Sequence, residues 1–329
     1  MVKSRGYDLI GDVHGCARTL EQLLCKLGYS RRNGCYRHPQ RRAVFLGDIV
    51  DRGNFIRESL HLVREMVDAG VAQIVIGNHE YNAIAYCTEA RPDSGRDFLR
   101  AHNERHERQI RESLAQFENH SSEWQAFLKW FRKMPLFLEF DTFRVIHACW
   151  DKNLISELKR RQILDFSDDE MLHRSAEYGG FEWQVADRLL RGTYLPLPNS
   201  EVMTSEDGYR RRVYRTQFWS TTPEIHNDVV FQPDPLPEHI GSLPLSVSDR
   251  KQLLHYSKEE PPLFIGHYWR QGIPESIRPN IACLDYSAVK QGKLVAYRMD
   301  SESRIDRKKF VWVDVDPDDI QPAVQIEGG

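Results

Sequence analysis

Five short apolar runs in this chain each run directly into a cluster of polar residues. Tyr7-Asp8-Leu9-Ile10 leads into Gly11-Asp12-Val13-His14-Gly15, and Ala43 to Leu46 into Gly47-Asp48-Ile49-Val50-Asp51-Arg52-Gly53. Val71 to Ile76 leads into Gly77-Asn78-His79-Glu80, Phe143 to Ile146 into His147-Ala148, and Leu263 to Ile265 into Gly266-His267-Tyr268. Runs of this length bounded by glycine read as buried strands. Between the first two, Leu20, Leu23, Leu24 and Leu27 fall at helical spacing before Gly28, and residues 55 to 69 read as a helix that stops at Gly70. Strand and helix therefore alternate, which predicts an α/β fold. Its polar residues emerge at strand C-termini, where open α/β sheets bind ligands.

Further along, residues 96 to 118 carry mixed charge, with Glu104/Arg108 and Glu107/Arg111 at the spacing of helical ion pairs. This reads as a solvated helix face. Trp124, Phe127, Leu128 and Phe131 form an apolar stripe that Pro135 ends, predicting a core-facing helix. Leu136 to Phe140 and Phe143 to His147 read as consecutive strands around Asp141-Thr142. Residues 150 to 260 begin helical and become rich in proline and loops from Pro196, with an extended stretch expected over Tyr209 to Phe218. This segment is expected to be a cap inserted within a single domain of residues 1–329. Ile281 to Leu284, Leu294 to Met299 and a strand near Phe310 to Val313 follow, and then an acidic tail expected to fray.

At 329 residues, with 40% apolar and 28% charged, the chain can bury a core as one large domain. A net charge of −3 gives no reason to expect a stable nucleic-acid partner. No apolar run reaches the length of a membrane span. A strand beginning near Tyr7 leaves no room for a signal peptide. The six cysteines contain no CxxC pair and read as reduced thiols, so a cytoplasmic location is expected.

The polar residues suit one kind of chemistry. Asp12 and His14, two apart on an extended segment, point the same way and can chelate one divalent ion. Asp48 is a candidate bridge, because one carboxylate can touch two cations. Asn78 offers a neutral oxygen, and His147 and His267 offer nitrogens, for a second ion. Mixed nitrogen and oxygen donors suit first-row metals better than calcium. Two ions roughly 3.5–4 Å apart clamp the attacking and leaving oxygens of an in-line displacement and lower the pKa of a bridging water. His79, Asp51 and Arg52 remain for a leaving-group acid, its orienting carboxylate and a phosphate-binding fork. His38, His61, His102, His106 and His120 have no such setting and read as surface residues.

The order and wording of these motifs resemble the calcineurin-like metallophosphoesterases, closest to the phosphoprotein phosphatase branch and its bacterial relatives, which include diadenosine tetraphosphatases. The resemblance implies a four-layer α/β/β/α sandwich with two mixed sheets. It implies a first metal site of Asp12, His14 and Asp48, and a second of Asp48, Asn78, His147 and His267. Two divalent ions are expected, manganese first, with iron, zinc, cobalt or nickel as alternatives. The resemblance also implies that His79 with Asp51 protonates the leaving group while Arg52 holds phosphate.

Gly266-His267-Tyr268-Trp269 lacks the second histidine that several nucleases of the superfamily carry, and Asp51-Arg52-Gly53 points to the same branch. The stretch Leu284 to Tyr297 resembles the pattern Leu-Asp-x-Gly-x-Val-x-Gly-Gly-x-Leu-x-Ala. Ser287 and Gln291 stand where that pattern has glycine, and Cys149 stands where glycine commonly follows His-Ala. A second phosphate-binding arginine is implied, with Arg174, Arg191, Arg215 and Arg270 as candidates. The expected function is hydrolysis of a phosphomonoester, including phosphoserine or phosphothreonine, by a metal-bridging hydroxide. The alternatives are hydrolysis of a dinucleoside polyphosphate and a non-catalytic metal-binding regulatory module. Trp183, Tyr194, Tyr209, Tyr214 and Trp219 are candidate base-stacking residues of the cap, set against a simple packing role.

Overall fold

The computed structural model describes residues 6–204, 210–231 and 235–320. Two sheets lie face to face. The first runs in the order Asp285–Tyr286, Lys293–Met299, Gly6–Ile10, Arg41–Phe45, Ala72–Ile74, with Phe310–Asp314 also paired to Lys293–Met299. Gly6–Ile10, Arg41–Phe45 and Ala72–Ile74 are parallel, and Lys293–Met299 is antiparallel to its neighbours. The second sheet runs Ile281–Cys283, Leu263–Ile265, Arg144–Ile146, Phe137–Glu139, with only the last pair antiparallel. Both sheets are mixed, as expected.

Period-two alternation in the strands explains the layering. Leu9, Val44, Val145 and Phe264 pack together between the sheets, whereas their neighbours Ile10, Phe45, Ile146 and Ile265 face outward into the larger core shared with the helices. Helix Ala17–Leu27 buries Leu20, Leu23, Leu24 and Leu27 and ends at Gly28 (φ 92°). Helix Ile56–Asp68 buries Ile56, Leu60, Val63 and Met66. Helix Ser121–Phe131 buries the predicted stripe of Trp124, Phe127, Leu128 and Phe131.

Three expectations change. The charged helix is Glu104–Gln116, shorter than 96 to 118, and neither predicted i,i+4 ion pair forms within it among the described residues. Instead its inner face sends Ser113 and Gln109 toward the polar strand ends. A hairpin of Ser30–Arg32 and Cys35–Arg37 follows the first helix, where no strand was read. The acidic tail is docked as far as it is described: buried Asp319 accepts from the backbone N–H of Arg18 (3.1 Å) and Thr19 (2.7 Å) at the first helix's N-terminus. The remaining tail, 321–329, lies outside the described residues.

Residues 150 to 260 split in two. Helices Lys152–Arg161, Asp169–Ser175 and Phe181–Arg191 pack into the main core. Beyond them, Thr193–Pro196 pairs with Val213–Thr216, and Leu195, Leu197, Tyr214, Val229, Leu236, Ile240 and Leu245 form a small core of their own. Of the extended stretch expected over Tyr209 to Phe218, Tyr209 lies outside the described residues and Val213–Thr216 is a strand. No helix among the described residues is long and apolar enough to cross a membrane.

Candidate active site

Asp12 and His14 follow strand Gly6–Ile10, Asp48 follows Arg41–Phe45, His147 follows Arg144–Ile146 and His267 follows Leu263–Ile265. Asn78 differs: it opens the helix Asn78–Cys87, and His79 is the helix's second residue. The turns that carry the site are strained. His14, Asp48, Asp51, Arg52 and His267 all have positive φ, between 47° and 75°, a conformation that L residues rarely hold unless their surroundings enforce it.

Glu80 is one such enforcer. Its fully buried carboxylate accepts the backbone N–H groups of Asp48 (2.8 Å), Ile49 (2.7 Å), Val50 (3.2 Å) and Gly77 (3.0 Å), tying the loop after the second strand to the helix that bears Asn78 and His79. Close approach fixes two glycines. A Cβ on Gly77 would lie 2.2 Å from Asp48 Oδ1, and one on Gly266 would lie 2.1 Å from Asp12 Oδ1.

The histidine tautomers follow from their carbonyl partners, since a carbonyl can only accept. His14 Nδ1 lies 3.0 Å from Val50 O and His147 Nδ1 lies 2.7 Å from Leu46 O, so each donates from Nδ1 and turns the Nε2 lone pair inward. His267 donates from Nε2 to Arg191 O (3.1 Å) and turns Nδ1 inward.

The inward atoms crowd one another. His147 Nε2 lies 3.0 Å from Asn78 Oδ1 and 3.4 Å from Asp48 Oδ2. His267 Nδ1 lies 2.6 Å from Asn78 Oδ1, and His14 Nε2 lies 3.6 Å from Asp48 Oδ2. Asp12 Oδ1 is buried with no hydrogen-bond partner. Lone pairs facing lone pairs in a buried space need a positive charge between them. Without a metal, protons take that place: burial opposes a charged His147, yet the adjacent Asp48 carboxylate pushes it up to about 10. Burial likewise opposes the Asp48 carboxylate, and His147 and His79 hold it well below the usual range. Burial, with Asp285 nearby, raises Asp12. This donor set fits divalent ions centred on Asp48; the carboxylate and imidazole atoms converge as Asp12, Asp48 and His147 and as His14, Asp48 and His79, a grouping other than the expected Asp12, His14 and Asp48, and both His79 nitrogens already face Asp51 and Arg52.

His79 also stands in a second arrangement. Its Nδ1 lies 2.6 Å from Asp51 Oδ2, and the other Asp51 oxygen accepts from the buried Ser113 hydroxyl. Its Nε2 faces Arg52 Nη2 at 3.2 Å, and its backbone N–H donates to Asp48 Oδ1 at 2.9 Å.

A family model described as calcineurin-like phosphoesterase matches residues 7–220, which include Asp12, His14, Asp48, Asp51, Arg52, Asn78, His79 and His147 but not His267. The chain belongs to this family. Among curated relatives, the asymmetrical bis(5'-nucleosyl)-tetraphosphatase PrpE of Oceanobacillus iheyensis is 34% identical over 163 residues, 47% of this chain and 60% of that protein. The enzyme of the same name from Halalkalibacterium halodurans is 47% identical over 74 residues, 22% of this chain and 30% of that protein. The chain thus spans less than two thirds of the relatives it matches. A solved serine/threonine phosphatase of Saccharomyces cerevisiae overlaps 96% of this chain and 83% of its own at 14% identity, with a TM-score of 0.48.

The phosphoesterase cleft has a volume of about 270 Å³ and exposes Asp12, His14, Asp48, Asn78, His79, His267 and Arg52. His147 lies beneath them, fully buried. The five histidines read as surface residues do not line it. Of the four candidate arginines only Arg215 does, reaching in from strand Val213–Thr216. Arg174 pairs with Glu170 and Glu182, and Arg191 donates to Asn82 Oδ1. Arg215 has a buried Nε without a partner, and after burial it is the main influence lowering His267.

Sequence reading missed Gln109, Trp269, Asp285 and Lys290 in the cleft wall. Gln109 carries no local signal, whereas Trp269 lies two residues after His267, and Asp285 and Lys290 lie in the Leu284 to Tyr297 stretch whose pattern was noted without a role. Of the candidate stacking aromatics of the cap, Trp183, Tyr194, Tyr214 and Trp219 do not line the cleft. Tyr214 is fully buried against His226, Trp219 packs on Tyr268 and Phe231, and Trp183 packs on Tyr178. Tyr194 lies beside Arg215, and Tyr209 is outside the described residues.

Proposed function

We propose that this phosphoesterase hydrolyses a phosphomonoester with two divalent ions, manganese first among them, held by Asp12, His14, Asp48, Asn78, His147 and His267. The observation that carries the reading is the convergence of the inward ring nitrogens of His14, His147 and His267 on the Asp48 and Asn78 oxygens, with the buried, unpartnered Asp12 Oδ1 in the same cluster. When bound, the two ions supply a polarised water as nucleophile. The protein's own groups do the rest. Arg52 and Arg215 hold the phosphoryl oxygens, and His79, oriented by Asp51, delivers a proton to the leaving oxygen. Arg52 now rests on His79 Nε2, so a bound phosphate that draws the guanidinium away also frees that nitrogen for its proton. A leaving-group acid matters most for alkyl esters such as phosphoserine, and this favours the phosphomonoester. A module that only bound metal would have no use for it.

A second reading, hydrolysis of a dinucleoside polyphosphate, is favoured by three cationic side chains in a cleft wall that also holds Asp12, Asp48 and Asp285. Arg52, Arg215 and Lys290 line the cleft with no carboxylate partner among the described residues. The names of the curated relatives agree with it. In either case the segment 150–260 serves as a cap through Arg215, and the protein acts in the cytoplasm on a phosphorylated substrate without membrane or nucleic-acid partners.

Chelation is the direct test. Hydrolysis of an aryl phosphate should vanish on exhaustive chelation and return with manganese. Full activity with no metal present by elemental analysis would sink the reading. Comparing phosphoserine peptides with diadenosine tetraphosphate then ranks the two substrate classes.

A further inference from the structure

Trp269 is the residue in this cleft whose position packing does not explain. It follows the ligand candidate His267 by two positions. Its neighbour Tyr268 is fully buried, whereas Trp269 is half-buried and turned into a polar cleft. Phe231 holds the indole by an edge contact (centroids 6.2 Å apart, planes at 62°). The Lys290 ammonium lies over the ring, 5.4 Å from its centroid. Lys290 is exposed, sits on the short turn Ala288–Lys290 beside Ser287, and has no carboxylate partner among the described residues. An aromatic face is thus held beside the metal-ligand candidates, with a cation on a flexible stem lying over it.

We propose that Trp269 is a nucleobase platform and that the group attached to the substrate's phosphate is a nucleoside. The inference rests on the phosphohydrolase reading above and names its substrate class as nucleotides, including dinucleoside polyphosphates. Lys290 leaves the indole when a phosphate draws its ammonium, and the base takes the vacated face. That exchange is favourable, because an exposed cation–π contact is weaker than a base stacked on an aromatic ring. The phosphates then lie among Arg52, Arg215 and Lys290, with the base on the Trp269 ring.

The test compares kcat/KM for diadenosine tetraphosphate and for O-phosphoserine, which has no ring to stack, in the manganese-loaded protein and in Trp269→Ala and Trp269→Phe. Binding of the non-hydrolysable α,β-methylene analogue of ADP is measured in parallel by calorimetry. The ratio of the two kcat/KM values should fall roughly 5- to 150-fold in Trp269→Ala, mainly through KM. Analogue binding should weaken by a similar factor, and Trp269→Phe should recover most of both. An unchanged ratio, an equal loss on both substrates or unchanged analogue binding would overturn the platform. If the parent protein hydrolyses neither substrate, the phosphohydrolase reading falls, and the binding measurement still decides for or against the base platform.

Discussion

His79 Nδ1 and Asp51 Oδ2 meet at 2.6 Å, with both side chains buried and the second Asp51 oxygen taken by Ser113. A carboxylate can only accept here, so the proton on this side belongs to the imidazole. The ring is pinned with Nε2 toward Arg52 and the cleft. His79→Asn should therefore retain metal while turnover falls about 10²–10⁴-fold, the range for general acid catalysis. The loss should shrink on aryl phosphates, whose leaving groups need no proton. Equal losses on aryl and alkyl esters would count against the acid role.

Asp48 faces His14 on one side and His147 on the other, at 3.6 and 3.4 Å. Asp48→Asn removes the charge that both halves share. At least one metal equivalent should be lost by elemental analysis, with near-complete loss of turnover. Two retained metals at a normal rate would rule out the bridge.

Glu80 serves four backbone donors at once. Glu80→Ala would leave them buried without acceptors, at about 1–3 kcal/mol for each that water cannot reach. Chemical denaturation should show a loss of about 3 kcal/mol or more, with weaker metal binding because Asp48 loses its fixed turn. A stability unchanged within error would mean that the loop has another support.

Gln291 has φ 59°, and Ser287 has φ 55°. These are two of the three positions where the resembling pattern carries glycine, and the left-handed conformation explains why it does at these two. For an L residue that conformation costs roughly 1–2 kcal/mol, partly offset on substitution by glycine's greater chain entropy. Gln291→Gly, which leaves the cleft lining untouched, should stabilise the fold by up to about 1 kcal/mol in a denaturation midpoint. A lower midpoint would show that the side chain contributes more than the strain costs.

Asp319 caps the first helix from the far end of the chain. Asp319→Ala should cost about 1–2 kcal/mol, the range for a lost helix cap. Hydrogen exchange at Arg18 and Thr19 should rise more than at the strand Arg41–Phe45. Uniform changes across both would speak against a local cap.

The ligand candidates were legible in the sequence because each follows its strand within a few residues. A short apolar run followed by a polar residue, in most cases across a glycine, is a local signal, and it marks the C-terminal ends of strands in both sheets. The order Asp12, His14, Asp48, Asn78, His147, His267 needed no knowledge of contacts. The two-sheet layering was implied by the family resemblance alone; in the structure it is carried by alternation, which turns Leu9 and Ile10, or Val145 and Ile146, to opposite faces. The choice of Arg215 among four candidate arginines, and the placing of Trp269, Lys290, Ser113 and Gln109, were decided by tertiary structure. Each lies on a hairpin, turn or helix whose local pattern is compatible with an ordinary surface or core position. What selects them is distance across the fold, set by how the segment 150–260 and the helix Glu104–Gln116 pack against the strand ends. The Asp319 cap is the extreme case: its partners are about 300 residues away in sequence, and no local pattern in an acidic tail marks one carboxylate for burial.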